Sequence, residues 1–201
     1  MLIALFILLF AGMAMAIEEA KYTVIEKSNE FELRAYSPRI LAETLVSGTL
    51  DKASTAGFKL IAGYIFGNNI SPKGTNEKIS MTAPVTIEPK SEKISMTAPV
   101  GAKKTGDQWR IHFVMPSKYT LLTIPKPKNA AVILREVAAS NYAVIRFTGF
   151  AGEDKAANKT ADLLTWLSSK GITPIGKPEI ARYNPPWTLP FLRRNEIMIA
   201  Y

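Results

Sequence analysis

Two passages of this sequence carry the same order of strand-like and helix-like segments, and this repetition restricts the fold more than any other feature. In the first passage, residues 22–50 alternate as strands do, and residues 51–66 change to the helical period. The second passage repeats the order, with strand-like segments before a helical segment over residues 153–170. A shift that places Leu60 on Leu163 superimposes the two passages, so we predict an internal duplication.

The predicted fold class is α+β. Two strand–helix–strand–strand halves, over about residues 20–100 and 109–201, are expected to form one curved, mostly antiparallel sheet or distorted β-barrel. The two helices would pack on the sheet and leave a cleft where the halves meet. A mature segment of this length, residues 17–201, suits a single domain. Because the chain has no cysteine, its stability must come from the core and not from disulfides.

The first residues indicate export. Residues 2–16 are uncharged and end in the small-x-small pattern Ala14-Met15-Ala16, which is typical of a signal peptide cleavage site. The stretch is also shorter than the ~20 apolar residues that cross a bilayer. Cleavage would leave a mature chain that starts at Ile17, in a periplasm or outside the cell. The alternative is a retained N-terminal anchor, because no lysine or arginine precedes the apolar run, and only then would the protein be bound to a membrane.

The charge distribution argues against a nucleic-acid partner. The chain has 25 basic and 17 acidic residues, a formal net charge of +8. The basic residues are spread along the chain, and the densest groups are Lys103-Lys104, Lys126 with Lys128, and Arg193-Arg194. None of these groups is the basic run of a nucleic-acid tail, so we interpret the charge as a solubilising surface.

The octapeptide KISMTAPV occurs twice, at residues 78–85 and 93–100. Alternate positions of each copy are apolar, as in an extended chain, and each proline ends the copy at an edge or a bend. One interpretation is a hairpin whose methionines fill irregular spaces in the core. The alternative is that Met81 or Met96 lines a pocket for a large flat apolar ligand.

The sequence offers little for catalysis. With one histidine and no cysteine, a Cys-His pair and a metal site of several histidines or cysteines are excluded. No Gly-x-Ser-x-Gly elbow, phosphate loop or dinucleotide fingerprint is present. His112 lies on the opposite strand face from Trp109, Ile111 and Phe113, so it is predicted to point to solvent or to the rim. We therefore predict a binding protein with no catalytic residues.

Four acidic residues are candidates for pairing across strands: Glu26, Glu32, Glu43 and Asp51. A solvated strand face explains such carboxylates more often than acid–base catalysis does. The remaining enzyme hypothesis is a small-molecule hydrolase, which rests on analogy with bacterial effector-binding proteins that have a related two-half fold.

Several motifs of this chain resemble the SOUL haem-binding family. They are KISMTAPV with the preceding run Tyr64–Asn68, the run Trp109–Tyr119, and the run Arg182–Ile197, which contains Pro185-Pro186-Trp187. The likeness extends over about residues 20–201. It implies a distorted β-barrel flanked by two helices and built from two similar halves, and it implies non-covalent binding of haem or another tetrapyrrole.

The resemblance also implies where a tetrapyrrole would bind. Some members have a proposed axial histidine where this chain has Ala35. Others are thought to hold haem without a histidine, in an apolar groove between the first helix and the loop before the last strand. The corresponding residues here are Lys59, Leu60, Ile61 and Tyr64 on the helix, and Tyr183, Pro186, Trp187, Leu189 and Phe191 on the loop. Arg193 or Arg194 would replace the basic propionate partners, which are absent at Ser54, Ala62 and Thr188.

The predicted function is reversible, non-catalytic binding of haem or a related tetrapyrrole, which suits trafficking or buffering of that ligand. The axial ligand is not predicted, because nothing in the spacing selects a residue. The alternative function is a protein-interaction module, in which the apolar strip at Trp187, Leu189 and Phe191 holds a helix or an extended segment of a protein partner.

Overall fold

The computed structural model describes residues 17–90 and 108–201. The described residues form two α-helices, one 3-10 helix and thirteen strands, most of them in a single sheet. In chain order the elements are β1 (Glu18–Glu19), β2 (Tyr22–Ser28), β3 (Phe31–Tyr36), β4 (Arg39–Ser47), α1 (Leu50–Ile65), β5 (Asn69–Ile70), β6 (Thr82–Ala83), β7 (Val85–Lys90), β8 (Gln108–Val114), β9 (Lys126–Pro127), β10 (Ile133–Val137), β11 (Ser140–Phe147), α2 (Glu153–Ser169), β12 (Glu179–Arg182), the 3-10 helix (Pro190–Leu192) and β13 (Asn195–Ala200).

The main sheet has nine strands in the order β10-β4-β8-β7-β12-β13-β11-β3-β2, and all its neighbouring strands are antiparallel. The predicted α+β class with two similar halves is thereby confirmed. The sheet is a curled half-barrel, and β7 pairs with β12 near its middle. The two halves of the chain are interleaved in the sheet: β8 and β10 of the second half lie on either side of β4, and β3 of the first half pairs with β11.

The helix α1 lies over β4 and β8. Asp51 in its first turn suits the positive end of the helix dipole, and Gly67, at φ 119°, follows its end. The helix packs closely because Gly57 faces Ile111, where an added Cβ would lie only 2.3 Å from Ile111 Cγ1. Any side chain larger than hydrogen at residue 57 would therefore separate α1 from the sheet.

The helix α2 covers β11 and β13. Leu163 and Leu167 of this helix are buried against the sheet, but Leu164 is 40% exposed because it lies beside the contact and not under it. Trp166 stacks on Phe31 with ring centroids 5.0 Å apart. The second helix thus occupies the position in its half that α1 occupies in the other.

The two faces of the sheet differ in chemistry. The face under the helices is apolar, and its isoleucines are fully buried: Ile87, Ile111, Ile145 and Ile197. The face turned away from the helices, which we call the polar face, also is largely buried, although it carries charged residues such as Arg34 and Glu196. Apolar and aromatic residues pack among them in a second cluster that contains no helix residue.

The first copy of the octapeptide lies against the core. Ile79 is buried and its N–H donates to the carbonyl of Ile65 at 2.8 Å, and Met81 packs against the core. Residues Thr82–Ala83 form β6, which pairs in parallel with β1, and the peptide bond from Ala83 to Pro84 is cis. The second copy, residues 93–100, lies outside the described residues, so the hairpin of the two copies stays a prediction.

Candidate functional site

The loop between β12 and β13, residues 183–194, exposes more large apolar side chains than its surroundings. Trp187 is 82% exposed and Phe191 is 69% exposed. Leu189 and Leu192 are also exposed, as is Phe150 from the segment before α2. We call residues 183–194 the Pro-Pro-Trp loop. Contiguous exposed apolar side chains of this kind mark ligand or partner surfaces more often than they mark ordinary surface.

Arg193 fixes the shape of this loop. Its Nε donates to the carbonyl of Thr188 at 2.7 Å, and a second guanidinium nitrogen donates to the carbonyl of Pro186. The guanidinium also lies 4.8 Å from the ring centroid of Phe150. Arg194 points elsewhere, into ion pairs with Glu19 and Glu196. Of the two arginines predicted to hold propionates, Arg193 is therefore the one beside the exposed apolar residues.

The helix residues predicted for the groove are not all on its surface. Lys59 is exposed and Leu60 is half-buried, but Ile61 and Tyr64 are fully buried. The Tyr64 hydroxyl donates to the carbonyl of Pro125 at 2.7 Å. In this structure Ile61 and Tyr64 contribute to the core instead of to an exposed groove. The helical pattern gave the buried face correctly, but it does not distinguish a groove wall from a core.

One side chain joins α1 to the start of the Pro-Pro-Trp loop. Arg182, at the end of β12, donates to Asp51 Oδ1 at 3.1 Å, to Ser54 Oγ at 3.4 Å and to the carbonyl of Ala151 at 2.7 Å. The loop thus approaches the first turns of α1. Lys59 lies about 12 Å further along the helix than Asp51 at the usual rise per residue.

Ala35 occupies the position where some members have a proposed ligand histidine. It is half-buried in β3 and pairs with Thr23 and Asn141. By strand alternation its side chain lies on the same face as Leu33, which packs in the core under the helices. An alanine side chain has no atom that binds iron, so this position supplies no metal ligand.

The polar face carries a charge cluster that the sequence did not reveal. Arg34, 1% exposed, donates two hydrogen bonds to Glu196 at 2.8 and 3.0 Å. The Tyr183 hydroxyl donates to the same carboxylate at 2.7 Å. Burial would raise the pKa of Glu196, but these hydrogen bonds and the charges of Arg34 and Arg194 lower it below its usual value. Tyr183, predicted to line the haem groove, is thus engaged on the polar face.

His112 also lies on this face, and the prediction that it points to solvent or the rim is wrong. It is only 7% exposed. The alternation of residues in β8 correctly placed His112 on the face opposite Trp109, Ile111 and Phe113. That face is not open to solvent, because the second cluster of apolar and aromatic residues covers it. Burial and the charges of three nearby arginines lower the pKa of His112 to about 3, so the imidazole is neutral. The three arginines are Arg135, Arg39 and Arg110.

Glu179 lies beside His112. Its Oε2 is 3.9 Å from His112 Nε2, and the Tyr142 hydroxyl donates to its Oε1 at 3.2 Å. Burial and the neighbouring carboxylate of Glu88 raise the pKa of Glu179 to about 7. The sequence gives only a weak sign of this site: Glu179 begins a short alternating strand and lies on the face opposite Ile180.

Two adjoining cavities lie beneath the N-terminal segment, and the smaller one opens on the polar face. The larger has a volume of about 160 Å³, with Ile40, Val114 and Met115 in its lining. The smaller has a volume of about 20 Å³ and is lined by His112 and Glu179 among others. The two share Glu19, Ala20, Arg39 and Val114 in their linings. Neither volume admits a tetrapyrrole, which is far larger than the single ring that a cavity of about 150 Å³ accepts.

The acidic residues considered for acid–base pairs are bound to cations instead. Glu43 pairs with Arg135 at 2.9 Å and Glu32 with Arg34 at 2.7 Å. Glu26 pairs with Lys170, and Asp51 pairs with Arg182.

Over residues 17–90 and 108–201, no group of three or more His, Asp or Glu side chains is placed to hold a metal ion. In the same ranges no helix has the length and apolar character to span a membrane.

The described residues thus form a curled antiparallel half-barrel with two helices on one face and an exposed apolar loop before its last strand. A sequence profile of the SOUL heme-binding protein family matches residues 17–200, and the chain belongs to that family. A search among curated proteins found no match.

Solved structures share the fold at low sequence identity. The C-terminal domain of EcmrR has 12% identity and a TM-score of 0.59, over 89% of this chain and 96% of that chain. A hydrolase from Listeria innocua has 9% identity and a TM-score of 0.54, over 87% of this chain and 93% of that chain. An uncharacterized conserved protein from Listeria innocua has 11% identity and a TM-score of 0.56, over 85% and 91%. At these identities the likeness is one of fold alone.

Proposed function

We propose that this protein binds haem or a related tetrapyrrole reversibly at the Pro-Pro-Trp loop, without catalysing a reaction, and that it carries or buffers this ligand. Membership of the SOUL heme-binding family supports the ligand class. The observation that carries the location is the exposed apolar surface around Trp187 and Phe191, with Arg193 beside it. A porphyrin presents an apolar face and anionic propionates, which suit such a surface.

The groove for this ligand lies between the Pro-Pro-Trp loop and α1, the helix that Arg182 ties to the start of the loop. Within it, Pro186, Trp187, Leu189 and Phe191 contact the ring, with Leu60 and Lys59 further along the helix. Arg193 gives its charge to a propionate while its backbone hydrogen bonds hold the loop. Because His112 is buried on the other face and position 35 is alanine, binding here rests on the ring and not on a histidine–iron bond.

A hemin titration of the protein with its natural N-terminus, followed by the Soret band, tests this proposal. We expect saturable binding that weakens roughly tenfold or more in Trp187→Ala, because an exposed aromatic anchor is removed from the contact. Leu122→Ala is the matched control, since Leu122 is 91% exposed but lies outside the loop. His112→Ala should keep the binding, and iron-free protoporphyrin should bind with similar affinity. The absence of a saturable Soret shift at micromolar protein would sink the proposal.

A protein partner is the competing proposal for the same surface. The exposed side chains of Trp187, Leu189 and Phe191 are a surface on which a partner's amphipathic helix or extended segment can pack. The hemin titration separates the two, because a surface made for a protein segment gives no saturable Soret shift. We also propose that the protein is exported through residues 2–16, and the sequence pattern of these residues supports this.

A further inference from the structure

Two neighbouring groups on the polar face, buried His112 and half-buried Glu179, lack the partners that their chemistry requires. His112 Nδ1 is buried and has no hydrogen-bond partner. The Glu179 carboxyl accepts a hydrogen bond from Tyr142, but within the described part of the chain no lysine or arginine forms an ion pair with it. A buried polar group without a partner costs about 1–3 kcal/mol, and an uncompensated buried charge costs more. Both groups lie at the smaller cavity.

A single group that complements both side chains would be a hydrogen-bond donor with positive charge. The imidazole of His112 is neutral, so one ring nitrogen carries a proton and the other accepts. With Nε2–H assigned toward the carboxylate of Glu179, Nδ1 is an acceptor. The two acceptors at the cavity are then His112 Nδ1, which has no hydrogen-bond partner, and the carboxylate of Glu179, which accepts from Tyr142. A cationic N–H group satisfies the hydrogen bonds and the charge together.

The two cavities set the size of such a ligand. The smaller one, about 20 Å³, has room for one small polar group, since a water needs about 10–15 Å³ on the same measure. The larger one, about 160 Å³, has room for a body of one ring against Ile40, Val114 and Met115. The N-terminal segment covers both, held by the pairing of Glu19 with Arg194 and by the bond from the Ser117 N–H to Glu18 at 2.9 Å.

We propose that the two adjoining cavities bind a small organic cation of about one ring in size, with its N–H donors on Glu179 and His112 and its apolar body in the larger cavity. This site is separate from the Pro-Pro-Trp loop and does not depend on tetrapyrrole binding. Either proposal can fail while the other stands, because hemin and a small cation are measured on different variants.

The three arginines whose charges lower the pKa of His112 are each engaged by other side chains. Arg110 and Arg135 are neutralised by ion pairs with Glu88 and Glu43. Arg39 is turned onto the rings of Tyr36 and Tyr142, 4.9 and 5.6 Å from their centroids. The charged and titratable groups around Glu179 are Glu19 on β1, Tyr22 on β2, Tyr36 on β3, Arg39 on β4, Glu88 on β7, Arg110 and His112 on β8, Arg135 on β10, Tyr142 on β11 and Tyr183 after β12.

Calorimetric titration with benzamidine, a one-ring amidinium, tests the proposal on the protein with its natural N-terminus. We expect one saturable site, and no binding of benzamide, the neutral compound of the same shape. Glu179→Gln should weaken benzamidine binding by about 10- to 100-fold, because a hydrogen bond to a charged group is lost. Glu30→Gln, the same change in an exposed turn, should leave it unchanged.

The pH dependence gives a second criterion. The cation competes with the proton on Glu179, whose pKa is about 7, so affinity should be about tenfold weaker at pH 6 than at pH 8. Three results would overturn the proposal: benzamidine binds Glu179→Gln as tightly as wild type, benzamide binds as tightly as benzamidine, or benzamidine binding does not saturate.

A measurement on the wild-type chain covers the case in which Glu179→Gln fails to fold. The chain has one histidine, so the ¹⁵N spectrum of an untagged sample shows a single imidazole. Benzamidine should shift its Nδ1 signal, because that atom gains a donor. An Nδ1 signal unchanged at saturating benzamidine means that the smaller cavity holds only water, and it would overturn the proposal.

Discussion

At the scale of single residues, the polar face places two titratable groups with opposite pKa shifts next to each other. The pKa of His112 falls from 6.5 to about 3, and that of Glu179 rises from 4.5 to about 7. Folding therefore releases a proton from His112 below pH 6.5 and takes up a proton on Glu179 above pH 4.5. Between these values the two effects on the free energy of unfolding have opposite signs and largely cancel.

Single substitutions should separate the two effects. In Glu179→Gln only His112 remains, so the free energy of unfolding should fall as the pH decreases from 6.5, by up to roughly 1.4 kcal/mol per pH unit. In His112→Gln only Glu179 remains, so it should fall as the pH rises from 4.5 toward 7. Urea unfolding of both variants and of wild type at pH 4.5, 5.5 and 6.5 measures this. Parallel pH profiles for the three proteins would contradict the pairing.

At the scale of elements, the contact of α1 with the sheet depends on a glycine. Gly57 faces Ile111 so closely that an added Cβ would lie within 2.3 Å of its side chain, whereas Gly63 on the same helix has nothing within 4 Å. Both positions are helical, so the gain in helix propensity from alanine is the same at each. The difference between them isolates the packing of α1 on β8.

Alanine at these two glycines should have opposite effects. Gly57→Ala should lower the free energy of unfolding by about 1–3 kcal/mol, as overpacking does. Gly63→Ala should raise it by up to about 1 kcal/mol. Urea unfolding at one pH compares them, and an equal change in both variants would show that α1 does not pack as described.

At the scale of the whole molecule, the two halves exchange strands. The edge strand β10 of the second half pairs with β4 of the first, and β3 of the first pairs with β11 of the second. Alone, the first half would lack β8 and β10 on either side of β4, and the second half would lack β3 beside β11. Each half would also expose the junction at Ile87 and Ile180. Neither half therefore has a complete sheet of its own, although the sequence reads as a duplication.

Fragments should show this dependence. Residues 17–107 and 108–201, each produced alone, should lack a cooperative thermal transition, because each leaves an unpaired strand edge and an uncovered core. When mixed, they should form a one-to-one complex that melts cooperatively. Circular dichroism and size-exclusion chromatography measure both properties, with the intact chain as reference. A fragment that melts cooperatively on its own would contradict the shared sheet.

Much of this architecture follows from local pattern. The period of the apolar residues gives α1, α2 and the strands around them, because a buried helix stripe and an alternating strand are properties of neighbouring residues. The motifs from Tyr64 to Ile197 give the family. Pattern also finds the Pro-Pro-Trp loop, since its apolar residues are adjacent in the chain. The sequence pattern did not show that Ile61 and Tyr64 are buried in the core, because burial depends on which other elements pack against that side of the helix.

By itself, then, the sequence determined the fold class and the family, located the apolar loop, and predicted the duplication. Only the tertiary structure decided the chemistry of the polar face. Arg34 and Glu196 are 162 positions apart in the chain, and their ion pair exists because β3, β11 and β13 are neighbours. His112 and Glu179 meet across β8, β7 and β12 in the same way. Strand order brings these groups together, and burial of the second face then shifts their pKa values, which no alternation of residues in one strand can show.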